Sequence, residues 1–303
     1  MSDASRDIAH EPVIRWLLAG DAAVRWQVFR DVLGSSAGEV AAARAAVARE
    51  GWGAALLAAQ RPDGLWGDGA DEPYWLSTLN AMVMLWELGV DPECEAAVAA
   101  VGRVAERVTW GPEFGDSPFF EGEVEPCING RVLGLGAYFH RPSAALLARL
   151  LSEQLADGGW NCEAERGSVR SSFHSTICVL EGLLAYEQHM GPAAAVTQAR
   201  QRGEAYLIAR RMHRRLSTGE VIRDRKSDAD WADFAFPATW HYDVLRGLDY
   251  LRAAGVPAQP DVAEALGMVA ARRRDDGTWR HIVTGTTRSP WSWARRRTRG
   301  AAG

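Results

Sequence analysis

Gln60-Arg61-Pro62-Asp63-Gly64-Leu65-Trp66 returns as Gln154-Leu155-Ala156-Asp157-Gly158-Gly159-Trp160, so that the two stretches share the pattern Q-x-x-D-G-x-W. Arg273-Arg274-Asp275-Asp276-Gly277-Thr278-Trp279 keeps the last part of it, with Arg in place of Gln. Each copy follows an amphipathic helical pattern. Gly can supply a left-handed cap at such a place, and the Trp can lie over the turn against the next pair of helices. Trp66, Trp160 and Trp279 are therefore read as structural residues.

Outward from these turns the chain is helical throughout. No segment sustains the period-two alternation of a strand. Helical periodicity runs through Glu39 to Gln60, Leu76 to Leu88, Ala144 to Leu155 and Thr239 to Ala254. Helices with a polar or aromatic start and an apolar body begin near Ala22, Tyr74, Cys127, Ser172 and Thr239, with a degenerate sixth near Ser289. Amphipathic helices lie between them: Glu39 to Gln60, Pro92 to Arg107, Ser143 to Leu155, Ala193 to Arg211 and Asp261 to Arg274. Apolar helices alternating with amphipathic ones at roughly 50-residue intervals imply stacked hairpins, an inner ring covered by an outer one. An open solenoid is the other arrangement such pairs allow, and the recurring turn favours closure. The expected fold is all-α, a single α/α toroid over residues 1–303, with about ten residues at either end outside it.

Composition narrows the function classes. With 303 residues, net charge −5 and 24% charged residues, the chain has no bulk electrostatic recruitment for nucleic acid or an anionic membrane. The basic run Arg295-Arg296-Arg297-Thr298-Arg299 is read as a solvated helix end. No stretch approaches the ~20 apolar residues of a membrane span, and the polar start MSDASRDIAHEP has no signal-peptide core, which points to the cytoplasm. Cys94, Cys127, Cys162 and Cys178 are then apolar fillers or metal ligands rather than a disulfide framework.

The repeated turn resembles the QW motif of squalene–hopene and oxidosqualene cyclases and the related repeats of protein prenyltransferase β subunits. Glu125-Pro126-Cys127-Ile128-Asn129-Gly130, Arg170-Ser171-Ser172-Phe173-His174-Ser175-Thr176 and Phe236 to Arg246 are similar to a bacterial family described as squalene-cyclase-like. The resemblance covers Ala22 to Trp279 and implies an α/α toroid with its site where the inner helices begin. It implies no particular reaction. The acid motif D-x-D-D-T-A of the cyclases is missing, its nearest counterpart being Asp228-Ala229-Asp230-Trp231-Ala232-Asp233, and no D-D-x-x-D is present.

Candidate site residues emerge from convergence of the inner-helix starts. Cys127 opens the third inner helix, His174 and His241 fall in the first turns of the fourth and fifth, and Cys162 lies in the loop before the fourth. Two thiolates and two imidazoles form a Zn²⁺ ligand set. In prenyltransferase β subunits an Asp, a Cys and a His bind zinc at such places; His241 resembles that histidine, and His174 stands where the cysteine would. Asp243 is a candidate acid–base or replacement ligand. Arg170, Arg246 and Arg131 are candidates for holding an anionic substrate end, or else they pair with Glu125, Glu163, Glu165 or Asp243. Tyr242, with Tyr74, Trp75, Phe173 and Trp240, lines either an aromatic pocket or plain core. Residues 111–125, which carry Phe114, Phe119 and Phe120, and residues 220–236 are candidate lids. The expectation is a zinc-dependent enzyme acting on an apolar, isoprenoid-type small molecule. Zinc-dependent hydrolysis or lysis of another metabolite, and a non-catalytic scaffold with structural zinc, stay open.

Overall fold

A computed structural model describes residues 11–71, 77–222 and 231–280. Among them are twelve α-helices and no strand, only the isolated bridges Thr109–Pro118 and Arg214–Val221. None of these helices is long and apolar enough to cross a membrane. The chain divides into two compact units, Met1–Phe119 and Phe120–Gly303.

The first unit contains α1 (Pro12–Leu18), α2 (Ala22–Gln27), α3 (Ala37–Ala45), α4 (Gly51–Ala58), α5 (Thr78–Leu88) and α6 (Glu95–Arg107). The second contains α7 (Pro126–Tyr138), α8 (Ala144–Ser152), α9 (Phe173–Met190), α10 (Ala194–Ala209), α11 (Val244–Ala253) and α12 (Ala263–Ala271). The expected alternation is visible in each unit. Helices α5 and α7 are buried along nearly their whole length, and α9 along most of it. Their neighbours bury one stripe: Ala97, Ala100, Val101 and Val104 on α6, Leu146 and Leu150 on α8. Spacings of three and four residues give a single apolar face.

Side-chain caps set several of the starts. Ser77, Ser143, Ser172 and Asp243 accept the amides of Asn80, Leu146, Ser175 and Arg246, satisfying donors that the first helical turn leaves without partners. Two boundaries differ from the periodicity. The run 39–60 is broken into α3, which ends at Ala45, and α4, into which Gly51 turns the chain with a φ of +67. Asp21 fixes that break by accepting the amides of both Ala23 and Trp52 at 3.0 Å. The fifth apolar helix begins at Val244, not near Thr239. Thr239 has φ +54, a left-handed conformation that a β-branched residue does not hold inside a right-handed helix. The expected starts at Tyr74 and Ser289, Trp75 and the basic run 295–299 lie outside the described residues.

The repeated turn is the same object in three places. In each, the residue after the Gln or Arg position donates to the carbonyl just before the Trp: Arg61 to Leu65, Leu155 to Gly159, Arg274 to Thr278. The Gly of each copy has positive φ, +90, +99 and +81. Every Trp indole donates at 2.8 Å to a carbonyl ten residues back, those of Leu56, Leu150 and Val269. In the first two copies the Gln carboxamide also reaches the next amphipathic helix, at Ala100 of α6 and Ala199 of α10. The Trp backbone amide meets a hydroxyl of the next apolar helix, Thr78 or Thr176. One turn thus ties three helices, as a structural motif should. The third copy has no Gln, and its Trp279 is 42% exposed where Trp66 and Trp160 are buried.

Candidate metal centre

The site begins with two glycines. Gly130 on α7 and Gly182 on α9 have no Cβ, and the two backbones meet there. A Cβ on Gly130 would lie 2.6 Å from the Cys178 carbonyl oxygen and from Val179 Cα, and one on Gly182 would fall on the Gly130 carbonyl. Cys127 stands three residues before Gly130 and therefore on the same face of α7. The close crossing brings it against the first turns of α9.

The second thiol arrives by way of the repeated turn. Trp160 donates its amide to Thr176 Oγ1 at 3.0 Å and accepts the Ser172 amide at 2.9 Å. The chain leaving Trp160 is thereby pinned to the start of α9. Cys162, two residues on, opens a short 3₁₀ segment (Cys162–Arg166) and donates its amide to Ser175 Oγ at 3.2 Å. Its Sγ lies 3.2 Å from the same hydroxyl and 3.0 Å from Cys127 Sγ. Cys127 Sγ is 3.5 Å from Glu125 Oε2. Among the described residues, Glu125, Cys127 and Cys162 are the one group of three or more such ligands whose atoms all lie within 4.8 Å of one another.

The two thiols titrate apart. The hydrogen bond with Cys162, reinforced by burial, pushes the Cys127 thiol well up. That same bond, helped by the Ser175 hydroxyl, lowers Cys162. Burial also pushes Glu123, next to this group, up to about 7. Two sulfurs and a carboxylate are a donor set suited to Zn²⁺, and three protein ligands leave a tetrahedral position open.

The two histidines assemble elsewhere on the same helix start. His174 Nδ1 accepts the Tyr242 amide at 2.8 Å, which places the proton of the neutral ring on Nε2. Its ring packs against Trp240 at 5.0 Å, Trp231 at 5.5 Å and His241 at 6.0 Å between centroids. His241 stacks on Trp240 at 3.7 Å, and its Nδ1 lies 3.3 Å from Thr239 Oγ1. Successive residues of a helix point about 100° apart. Ser175 accordingly faces Cys162, while His174 faces residues 240–242.

The other candidates have these places. Asp243 is buried and caps α11, accepting the Arg246 amide at 2.9 Å, and burial pushes its carboxyl up. Arg246 pairs with Glu181 through Nε at 2.8 Å and Nη2 at 2.6 Å, and its charge also acts on Asp243. Its Nη1 holds the carbonyls of Thr239 and His241 at 3.0 and 2.6 Å, which steadies the strained turn before α11. Tyr242 is buried, stacks on Phe173 at 5.0 Å and donates to the Met212 carbonyl at 2.8 Å. Burial raises its phenol well above the ordinary range. Arg170 is exposed, and its backbone carbonyl accepts from Asn161. Arg131 is buried in α7. Phe119, in a candidate lid, is buried and stacked on Trp110 at 5.4 Å. In the other candidate lid, residues 223–230, with Asp228 and Asp230, lie outside the described residues.

Glu125 is the member of this group that sequence reasoning did not name as a candidate ligand. Its signal was the Glu-Pro-Cys triplet: Pro126 fits the first helical position, so Glu125 becomes the cap residue beside Cys127. Comparison with family models, with curated proteins and with solved structures gives no match to this chain.

Proposed function

We propose that this chain is a zinc-dependent enzyme acting on an apolar, isoprenoid-type small molecule, with its metal held by Cys127, Cys162 and Glu125. The α/α toroid of the terpenoid cyclases and prenyltransferases belongs to this reading, and the same turn and helix alternation in both units support it. The observation that carries the metal is the meeting of the Cys162 sulfur with the Cys127 sulfur and Glu125 carboxylate of a second backbone segment. Bound zinc supplies a Lewis acid or an activated thiolate or water. The rings of Trp231, Trp240, His174 and His241 support an apolar or cation-stabilising surface beside the start of α9. His174, whose Nδ1 is taken by the Tyr242 amide, is a candidate proton donor on that surface. A structural zinc is the second reading, favoured by the way the two thiols tie α7 to the segment after Trp160.

Metal analysis of the purified protein before and after chelation tests both readings. The expected result is about one zinc per chain, reduced at least tenfold in Cys127→Ser and Cys162→Ser. Metal-free wild type, or zinc retained by both variants, overturns the site. A small change in melting temperature on chelation supports catalysis, whereas collapse of the fold supports the structural reading.

A further inference from the structure

Cys127 and Cys162 stand 35 positions apart in sequence, yet their sulfurs are 3.0 Å apart. A disulfide bond is about 2.05 Å long, so roughly 1 Å of side-chain travel separates the dithiol from the cystine. Cys162 is partly exposed, where a small oxidant meets it first, and Cys127 is the more buried of the two. Cys178 is buried, its sulfur 3.7 Å from the Trp240 carbonyl and from Arg246 Nη2, and Cys94 caps α6 in the other unit. One pair out of the four cysteines is therefore built for cross-linking.

We propose that Cys127 and Cys162 form a reversible disulfide with hydrogen peroxide as oxidant, and that this oxidation removes the metal ligands. As control of a metal site the idea rests on the zinc reading; as a cross-link it stands on the sulfur geometry alone. Cys162 is the attacking sulfur, as the less buried of the two, and it attacks as the thiolate. That thiolate attacks one peroxide oxygen, the O–O bond breaks, and the departing hydroxide takes a proton to become water. Cys162 is now a sulfenic acid. The Cys127 sulfur gives up its proton and attacks Cys162 sulfur. The S–S bond forms, the S–O bond breaks, and the hydroxide released combines with that proton as a second water. Two thiols are oxidised and one peroxide is reduced to two waters. The cystine offers no thiolate to a metal.

The test treats metal-free and zinc-loaded full-length protein with hydrogen peroxide and counts thiols in denaturant. The count should fall from four to two, peptide mapping should show the Cys127–Cys162 cross-link, and dithiothreitol should restore all thiols. Zinc should slow the reaction, and any zinc bound should be released as the cross-link forms. Cys94→Ser should keep the cross-link, whereas Cys127→Ser should leave a sulfenic acid on Cys162 that dimedone traps. Retention of all four thiols, a cross-link through Cys94 or Cys178, or over-oxidation of Cys162 beside free Cys127 overturns the proposal. A protein that binds zinc but does not cross-link refutes this inference alone. One that cross-links without ever binding zinc refutes the metal reading alone.

Discussion

Gly130→Ala tests the packing on which the site depends. A methyl group at that position would lie 2.6 Å from two backbone atoms of α9, the Cys178 oxygen and Val179 Cα. Ordinary contact begins near 3.4 Å, so α7 and α9 must separate by roughly 0.8 Å, because backbone cannot rotate aside as a side-chain tip can. Overpacking of this kind costs about 1–3 kcal/mol. Alanine recovers up to about 1 kcal/mol of helix propensity over glycine. The net expectation is a loss of about 1–2 kcal/mol. Cys127 moves with Gly130, and metal sites tolerate only about 0.2 Å of ligand displacement, so zinc affinity should fall by about 10–100-fold. Urea denaturation of metal-free protein reads the first effect, and chelator competition the second. Gly102→Ala on α6 is the control: open space surrounds that position, and alanine there should stabilise by up to about 1 kcal/mol. If Gly130→Ala proves as stabilising as Gly102→Ala, the close crossing of α7 and α9 is refuted, whatever the metal does.

Two further outcomes rest on the hydrogen bonds. Ser175→Ala removes the hydroxyl shared by the Cys162 amide and sulfur, and should weaken zinc binding by about 10–100-fold in chelator competition and cost about 1 kcal/mol in urea stability. Unchanged affinity would show that Ser175 does not support the ligand. Arg214 hydrogen-bonds Glu264 and holds its carboxyl below the usual value of 4.5. A depressed folded value means that the stabilisation is present at neutral pH and is lost as pH falls through the carboxylate range. The pair is over a third exposed on the acid's side, so Glu264→Gln should cost less than about 1 kcal/mol. The gap from wild type should close below pH 4.5; a gap that persists there in pH-dependent urea melts would sink the assignment.

The parts of the fold legible in the sequence are those with local causes. Apolar spacing and Ser or Asp caps place most helices to within a few residues, and Q-x-x-D-G-x-W marks the turns because its Gly and Trp have fixed geometric duties. The start of α11 was not legible, since the left-handed Thr239 is held by Arg246, whose partner Glu181 comes from α9. Of the candidate group, convergence of helix starts put Cys127 with Cys162, whose sulfurs lie 3.0 Å apart, but it could not see that side chains diverge around the first turn of α9. Four soft ligands near one rim were grouped by residue type, whereas the backbone amide of Tyr242 engages His174 Nδ1 and Glu125 takes the place beside the thiols.

The repeat itself shows how a structural turn becomes a site. In its first copy the Trp66 amide meets Thr78 Oγ1, and in its second the Trp160 amide meets Thr176 Oγ1. The residue before that threonine is Ser77 in one copy and Ser175 in the other. Two positions past the tryptophan stand Asp68 and Cys162. Asp68 is exposed, with a long 3.7 Å contact to Arg61 as its ion pair. Cys162 at the equivalent place is drawn in by Ser175 and meets Cys127, because α9 begins one turn before Thr176 whereas α5 begins at Thr78 itself. That extra turn supplies a serine inside the helix instead of at its cap. It also carries His174, about 100° around the helix from Ser175, toward residues 240–242. What sets the second copy apart thus lies less in the repeated residues than in the few that come directly after Trp160. Exchanging the structural Trp160 would open a cavity in the core and release the segment that delivers Cys162.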